Sequence, residues 1–375
     1  MMQKILILIL WMLQVVDIAA QSVAKLVTQP AANCNKVFYL KNKTASFGID
    51  LFGGAFTDFK LTGSKINPFT WSVDQKELPV NNQNGATFKG HFLCLGRWGA
   101  PTDGEMKAGV PHNGHSGNSC WKLEKQMNAQ QLVMRSNAPL DGVSVKRTVV
   151  MDKESPVVKI TEEVQATTTI ARLFNMVQHA TIGPPFLDTN TVIDCNAGKG
   201  FLQTMAYPDP YRFEFSWPNA LIDSTRSSFD LRSSATPFSY VSTHIFNDSI
   251  GWITATNAAE KLMLGYIWKT SEYPWVNVWQ QWRDNRLWAK GLEFGTTGIG
   301  KSYQELLAVN TSFYGTPSYK ILDAGEVLEK SFYCFLLPIP AGFKGVKSVA
   351  IYAGNILVTE KEKESKIIIP ATLSL

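Results

Sequence analysis

The sequence predicts an all-β protein built from large packed antiparallel sheets, a sandwich or a barrel. Segment after segment is rich in Val, Ile, Thr and aromatic residues, and many alternate apolar with polar, the period of a half-buried strand. Clusters of Gly, Pro, Asn and Asp punctuate these segments. Long amphipathic helices are missing, and 303–309 is the one short run that fits a helix. In chain order, strands are expected at 37–40, 45–51 and 56–61, then at 131–135, 143–151, 157–165 and 170–178. A third group follows at 251–256, 262–268, 276–282 and 291–294, and the last at 330–337, 346–352 and 355–359. The charged run 359–366 reads as a solvated hairpin between two strands. No fixed repeat and no low-complexity linker divides the chain.

Composition narrows the class. Of 375 residues, 45% are hydrophobic and 18% charged, which excludes a disordered chain. All-β domains often run long, so residues 21–375 are expected to form a single domain. The formal net charge of +5 comes from scattered Lys and Arg with no dense block, so nucleic acid is not an expected partner. Residues 1–20 read as an export signal. Lys4 precedes an apolar run that is too short to span a bilayer comfortably, Asp17 breaks it, and Ala19-Ala20 offers a cleavage point. The expected mature chain is secreted or periplasmic and free of the membrane. The five cysteines, Cys34, Cys94, Cys120, Cys195 and Cys334, are widely spaced, and no C-x-x-C pair suggests zinc or redox chemistry. An exported chain could form one or two disulfides. Cys94 and Cys334 lie in apolar runs and read as small buried residues. Neither a metal nor a cofactor is expected.

One motif carries most of the chemistry. Gly291-Leu292-Glu293-Phe294-Gly295 follows a stretch crowded with aromatics, among them Trp275, Trp279, Trp282 and Trp288. A lone carboxylate among aromatic faces suits a sugar, whose C–H faces stack on rings while the carboxylate takes or holds a hydroxyl proton. The plain alternative is an ordinary half-exposed Glu, since a residue between Leu292 and Phe294 on a strand faces away from both. Other motifs recur in order along the chain. Phe52-Gly53-Gly54-Ala55-Phe56 lies early, the Gly/His loop 109–121 contains His112 and His115, a strand ends at His179, and the segment 323–332 closes the chain.

This order resembles the galactose mutarotase-like superfamily, the aldose 1-epimerases and their kin, which share an antiparallel β-supersandwich. The resemblance covers most of the chain after the signal. It implies that Glu293 removes the proton of an anomeric hydroxyl and that His179 protonates the ring oxygen. The ring then opens, turns about C1–C2 and closes on the other face. It further implies that His115, or alternatively His112, binds sugar oxygens and that Arg97 binds substrate. Of the tryptophans, most are expected in the core, and Trp279, which shares a strand face with Trp275, is expected to line the cleft. The superfamily's substrate-binding aspartate has no clear counterpart, and Asp230 and Asp284 are the candidates. Ordinary protonation states fit these roles, with a carboxylate near about 4.3 and an imidazole near about 6.5. On that basis activity should fall in acid as Glu293 takes up a proton. Arg97 has a structural alternative, pairing with an acid, and His179 could be a satisfied structural histidine.

Two motifs point elsewhere. Gly295-Thr296-Thr297-Gly298-Ile299-Gly300-Lys301-Ser302 fits the phosphate-cradling pattern G-x-x-x-x-G-K-[ST]. A nucleotide domain needs parallel strands and helices downstream, and the chain beyond Ser302 offers antiparallel-looking strands, so Lys301 is expected to face solvent. Gly114-His115-Ser116-Gly117-Asn118 begins like a nucleophile elbow but ends in Asn, without the flanking strand and helix. The reading that results is an exported carbohydrate-binding protein acting as an aldose 1-epimerase-like isomerase on a monosaccharide or oligosaccharide end. The alternative is a non-catalytic sugar binder on the same fold. Glycoside cleavage would need two carboxylates across the bond, and only Glu293 stands out.

Overall fold

The computed structural model describes residues 34, 36–206, 209–222, 227–308 and 312–371. The proposed export signal lies outside the described residues. Period-two patterns pair off into two large sheets. The first has ten strands in the spatial order Val37–Lys41, Ala45–Asp50, Ala55–Leu61, His91–Leu95, Met176–Ile182, Arg286–Gly295, Trp275–Arg283, Tyr240–Phe246, Ala197–Leu202 and Phe215–Ser216. The second has eight, ordered Val192–Cys195, Ile250–Asn257, Leu262–Lys269, Val327–Pro338, Val157–Ala166, Val143–Met151, Gln131–Ala138 and Lys122–Asn128. Neighbouring strands within both sheets run antiparallel.

The inner faces meet in one core. From the first sheet come Leu93, Met176, Ala180, Val276, Val278, Leu292 and Phe294, and from the second Val145, Val149, Ile160, Tyr266, Trp268 and Phe332. Phe294 stacks on Trp268 with ring centroids 4.2 Å apart. A polar chain runs through this core. Arg147 and Glu162 form a fully buried ion pair at 2.6 Å. Gln178 donates to Glu162 at 2.6 Å, and its carbonyl faces His91 at 3.1 Å. His91 in turn meets the Tyr266 hydroxyl at 3.1 Å.

The outer faces are covered separately. On the second sheet, Met263, Ile267, Tyr333 and Phe335 are capped by a three-stranded sheet of Val346–Tyr352, Asn355–Glu360 and Lys366–Pro370. Residues 361–365 between its last two strands form the expected charged hairpin. On the first sheet, long loops and the Tyr303–Ala308 helix cover part of the outer face, and the candidate site lies there. Cys34 and Cys120 form a disulfide, while Cys94, Cys195 and Cys334 are buried free thiols.

One detail differs from the sequence reading. The strand expected at 170–178 is two strands, Arg172–Phe174 and Met176–Ile182, which belong to different sheets. His179 therefore sits mid-strand. The phosphate-loop lookalike leaves the Arg286–Gly295 strand and packs as a loop against that same sheet. The Gly298 carbonyl accepts from Thr243 and Gln203, and Lys301 is half-exposed and paired with Glu305 at 3.3 Å. The helix that follows has only six residues.

Candidate active site

Alternation sends Leu292 and Phe294 into the core, so Glu293 must project from the outer face. The same rule on the next strand sends Gln178 inward and His179 outward. The register, Gln178 with Phe294 and Thr181 with Gly291, sets His179 opposite Glu293. His179 Nε2 lies 3.2 Å from Glu293 Oε1. The other imidazole nitrogen, Nδ1, lies 3.0 Å from the Thr181 hydroxyl two residues on, which fixes the ring. Gly291 leaves space for the carboxylate, because a Cβ there would stand 2.7 Å from Glu293 Oε1. Glu293 is thus not a half-exposed strand residue. Its side chain is 1% exposed and that of His179 12%, and Glu293 Oε2 has no hydrogen-bond partner.

Aromatic rings wall the pair. Phe92, the cross-strand neighbour of His179, stacks on it at 4.4 Å. Trp71 lies parallel to the imidazole at 6.2 Å, and Trp279 stands edge-on at 5.7 Å. Trp71 also meets Trp279 and Trp288 edge to face, at 5.6 and 5.4 Å. Arg283, paired with Glu77 at 2.6 Å, lies over the Trp288 ring. Asn277 faces Glu293 across the strands, and its carbonyl accepts from Thr243 at 2.8 Å.

Burial sets the protonation of the pair. It pulls the His179 imidazole down to about 3, with the charge of His112 acting in the same direction. It pushes the Glu293 carboxyl well above the ordinary carboxylate range. The contact could be drawn as an ion pair, but both groups resist charge where water is excluded. The pair is therefore best described as holding one proton between Oε1 and Nε2. Burial and the neighbouring Glu293 also keep the Cys94 thiol protonated.

The structure brings some of the expected residues together and leaves others apart. His112 is close enough for its charge to act on His179, and its backbone is held from both sides by Asn82. His115 turns toward Asp141 instead, which accepts from its backbone N–H at 2.7 Å, and its Nδ1 is buried without a partner. Of the two loop histidines, His112 is the one whose charge bears on His179. Arg97 is engaged by acids. Its guanidinium makes two bonds to Glu105, at 2.8 and 3.0 Å, and one to Asp141 at 3.2 Å. It lines a separate cleft of about 170 Å³ with Arg172 and Tyr303. Asp230 ends an exposed strand, accepts from the Arg232 N–H, and favours the charge of the buried Lys290. Asp284 sits in a left-handed turn conformation in the hairpin after Arg283. Trp268 is core, and Trp275 is buried with its indole N–H on the Pro317 carbonyl. Trp71, Phe92, Thr181 and Asn277 were not anticipated. Phe92 had a signal, the apolar run 92–95 in which Cys94 already read as buried, whereas Trp71 lies on a loop with no period to mark it.

Among the described residues, no group of three or more His, Cys, Asp or Glu is placed to hold a metal ion. No helix among them is long and apolar enough to cross a membrane.

Solved structures share this architecture. A galactose mutarotase related enzyme from Lactobacillus acidophilus superposes with a TM-score of 0.58 over 82% of this chain and 99% of its own, at 11% identity. The chain has the galactose mutarotase-like fold. Galactose mutarotase-like proteins from Lactobacillus casei and Clostridium acetobutylicum each cover 80% of it, with TM-scores of 0.54 and 0.53 and identities of 10% and 14%. They cover 100% and 95% of their own lengths. No family model matches the sequence, and no curated protein matches it. On this galactose mutarotase-like scaffold, the His179–Glu293 pair occupies adjacent central strands of the ten-stranded sheet.

Proposed function

We propose that the protein is an exported aldose 1-epimerase-like isomerase that interconverts the anomers of a sugar. The observation that carries this reading is the opposed His179–Glu293 pair, 3.2 Å apart on one face of a sheet and walled by Trp71, Phe92 and Trp279. Mutarotation needs one group to take the proton of the anomeric hydroxyl and another to give a proton to the ring oxygen. A pair holding a single proton does both. Ring opening moves a proton from the sugar to one member and a proton from the other member to the sugar. Ring closure on the opposite face reverses both transfers, so the pair ends as it began. Each proton-transfer partner contributes about 10²–10⁴-fold, ample for a reaction that already proceeds in water. The electrostatic reach of His112 to His179 supports a role in holding sugar oxygens, and Trp279, edge-on to His179, one in stacking.

The Cys34–Cys120 disulfide supports an oxidising compartment, in keeping with a secreted or periplasmic chain. The 1% exposure of Glu293 favours the second reading, a sugar binder without turnover, because a carboxylate so covered reaches its substrate with difficulty.

Polarimetry separates the two readings. Freshly dissolved galactose, glucose and other aldoses should mutarotate faster with wild-type protein. Glu293→Gln and His179→Asn each keep the shape of the site but break the proton exchange, so each should lose the acceleration, by about 10²-fold or more. Sugar binding without any acceleration in the wild type would establish the binder. A fully active Glu293→Gln protein would remove Glu293 from the mechanism.

A further inference from the structure

We propose that Tyr211 and Tyr314 form a second carbohydrate platform, which takes the body of an oligosaccharide whose end lies at the His179–Glu293 pair. This rests on the sugar reading of that pair and adds the class of substrate, a glycan chain rather than a free monosaccharide.

The platform stands on the face that carries the pair. Glu293 is opposite Asn277, Asn277 opposite Thr243, and Thr243 opposite Phe201, a row across four adjacent strands. Three cross-strand steps of about 4.8 Å put Phe201 roughly 14 Å from Glu293. The Phe313 ring meets Phe201 edge to face at 5.1 Å, and Tyr211 and Tyr314 lie beyond it, 5.2 and 4.9 Å from Phe313. The two tyrosines are 44% and 47% exposed, whereas Phe313 is buried.

Tyr314 is held outward at a conformational cost. Phe313 and Thr316 bridge a two-residue turn in which Tyr314 has φ 46° and Gly315 φ 76°. That first position favours Asn, Asp or Gly, and a bulky residue there is an outlier. The side chain is also fixed. The Tyr314 hydroxyl donates to Glu214 at 2.6 Å and bonds Lys199, whose ammonium lies 4.1 Å from the ring centroid. Lys199 is paired with Glu214 at 3.0 Å, and the Tyr314 N–H donates to the Tyr211 hydroxyl at 2.9 Å. Exposed rings with hydroxyl, carboxylate and ammonium groups at their edges match a sugar, which offers C–H faces to stack and hydroxyls to bond. Their prior fixation lowers the ordering cost of binding.

Calorimetry with galactose, glucose and mannose, each against its linear disaccharide and tetrasaccharide, tests the proposal. At least one tetrasaccharide should bind the wild type at least about tenfold more tightly than its monosaccharide, because two linked contacts add. Tyr314→Asn suits the turn better and should raise the unfolding temperature, so a lost gain cannot be blamed on misfolding. In Tyr314→Asn, and in Tyr211→Ala, the tetrasaccharide-to-monosaccharide ratio should fall to about one. Tyr314→Phe keeps the ring and should retain most of the gain. Equal affinity along every series, a gain untouched by both ring deletions, or no binding of any of these sugars overturns the proposal. The epimerase reading stands or falls on polarimetry instead. A chain-length gain without mutarotation would sink that reading and leave the platform in place.

Discussion

At the scale of single residues, the shared proton of His179 and Glu293 would make the proposed chemistry tolerant of pH. Ordinary protonation states would have activity fall through the usual carboxylate range. Burial instead holds Glu293 up and takes His179 down to about 3. The one-proton state then begins near pH 3 and outlasts the usual carboxylate range, so the catalysed rate should show no step near 4.5. A fall in rate centred near 4.5, the value of a free Glu, would mean that Glu293 works as a solvated carboxylate. Stability should report the same shift. A carboxyl whose folded value is raised binds more protons folded than unfolded. Its contribution is therefore full below about 4.5 and is lost as pH rises toward the folded value. Glu293→Gln removes that loss, so urea titrations should show the variant gaining on the wild type as pH rises from 5 to 8. A constant difference between the two proteins would contradict the raised value. The histidine terms have the opposite sign. His91 and His179 are lowered to about 3 and His244 to about 4, chiefly by burial, so stability drains away as pH falls below 6.5.

At the scale of elements, the strand Arg286–Gly295 shows what alternation reveals and what it hides. Glu293 between Leu292 and Phe294 could be placed on the face opposite them from spacing alone. Its depth could not, because loops from distant parts of the chain, bearing Trp71 and Trp98, supply the cover. The strand His91–Leu95 is buried at every position and so has no alternation to betray it. Lys122–Asn128 is missed for the opposite reason, a mostly polar edge strand. The pairing of Arg97 with acids stayed an open alternative in the sequence because its partner Asp141 lies 44 residues away. Its other partner, Glu105, follows Thr102 in a capping box that the sequence does contain. The same strand gives a test of close packing. Gly291→Ala puts a methyl 2.7 Å from Glu293 Oε1 and 3.2 Å from the Trp279 Cβ. The carboxylate is the more movable of the two, so it should swing off His179. We expect a stability loss of about 1–3 kcal/mol and a drop in mutarotation larger than the drop in sugar affinity. A variant with wild-type rate would show that the carboxylate does not need its present position.

At the scale of the whole molecule, the all-β class, the single pair of large sheets and the superfamily fold were legible, because period-two patterning and motif order persist along the chain. The third layer on the second sheet was legible only as isolated strands, since nothing in 346–370 says which face it covers. The disulfide was open in the sequence, where five spaced cysteines fit several pairings. Folding brings Cys34 and Cys120 together with their Cα atoms 5.5 Å apart and closes a loop of 86 residues. On the chain-entropy account such a loop stabilises by about 3–5 kcal/mol. The double substitution Cys34→Ser with Cys120→Ser should lower the urea midpoint accordingly while leaving mutarotation in place at low temperature. An unchanged midpoint would mean that the unfolded chain gains little freedom when the link is cut.

The buried chain Arg147–Glu162–Gln178–His91 has a consequence for the site that it never touches. Gln178 and His179 are consecutive and face opposite ways, one completing a polar network in the core and the other meeting Glu293. A slip of the Met176–Ile182 strand by one position would exchange them. The imidazole would be driven in beside Arg147, and the amide would be left to confront Glu293. Both faces reject the error, so the strand is proofread twice during folding. A change at Gln178 would disturb the His179–Glu293 pair without altering any residue on the pair's own face of the sheet.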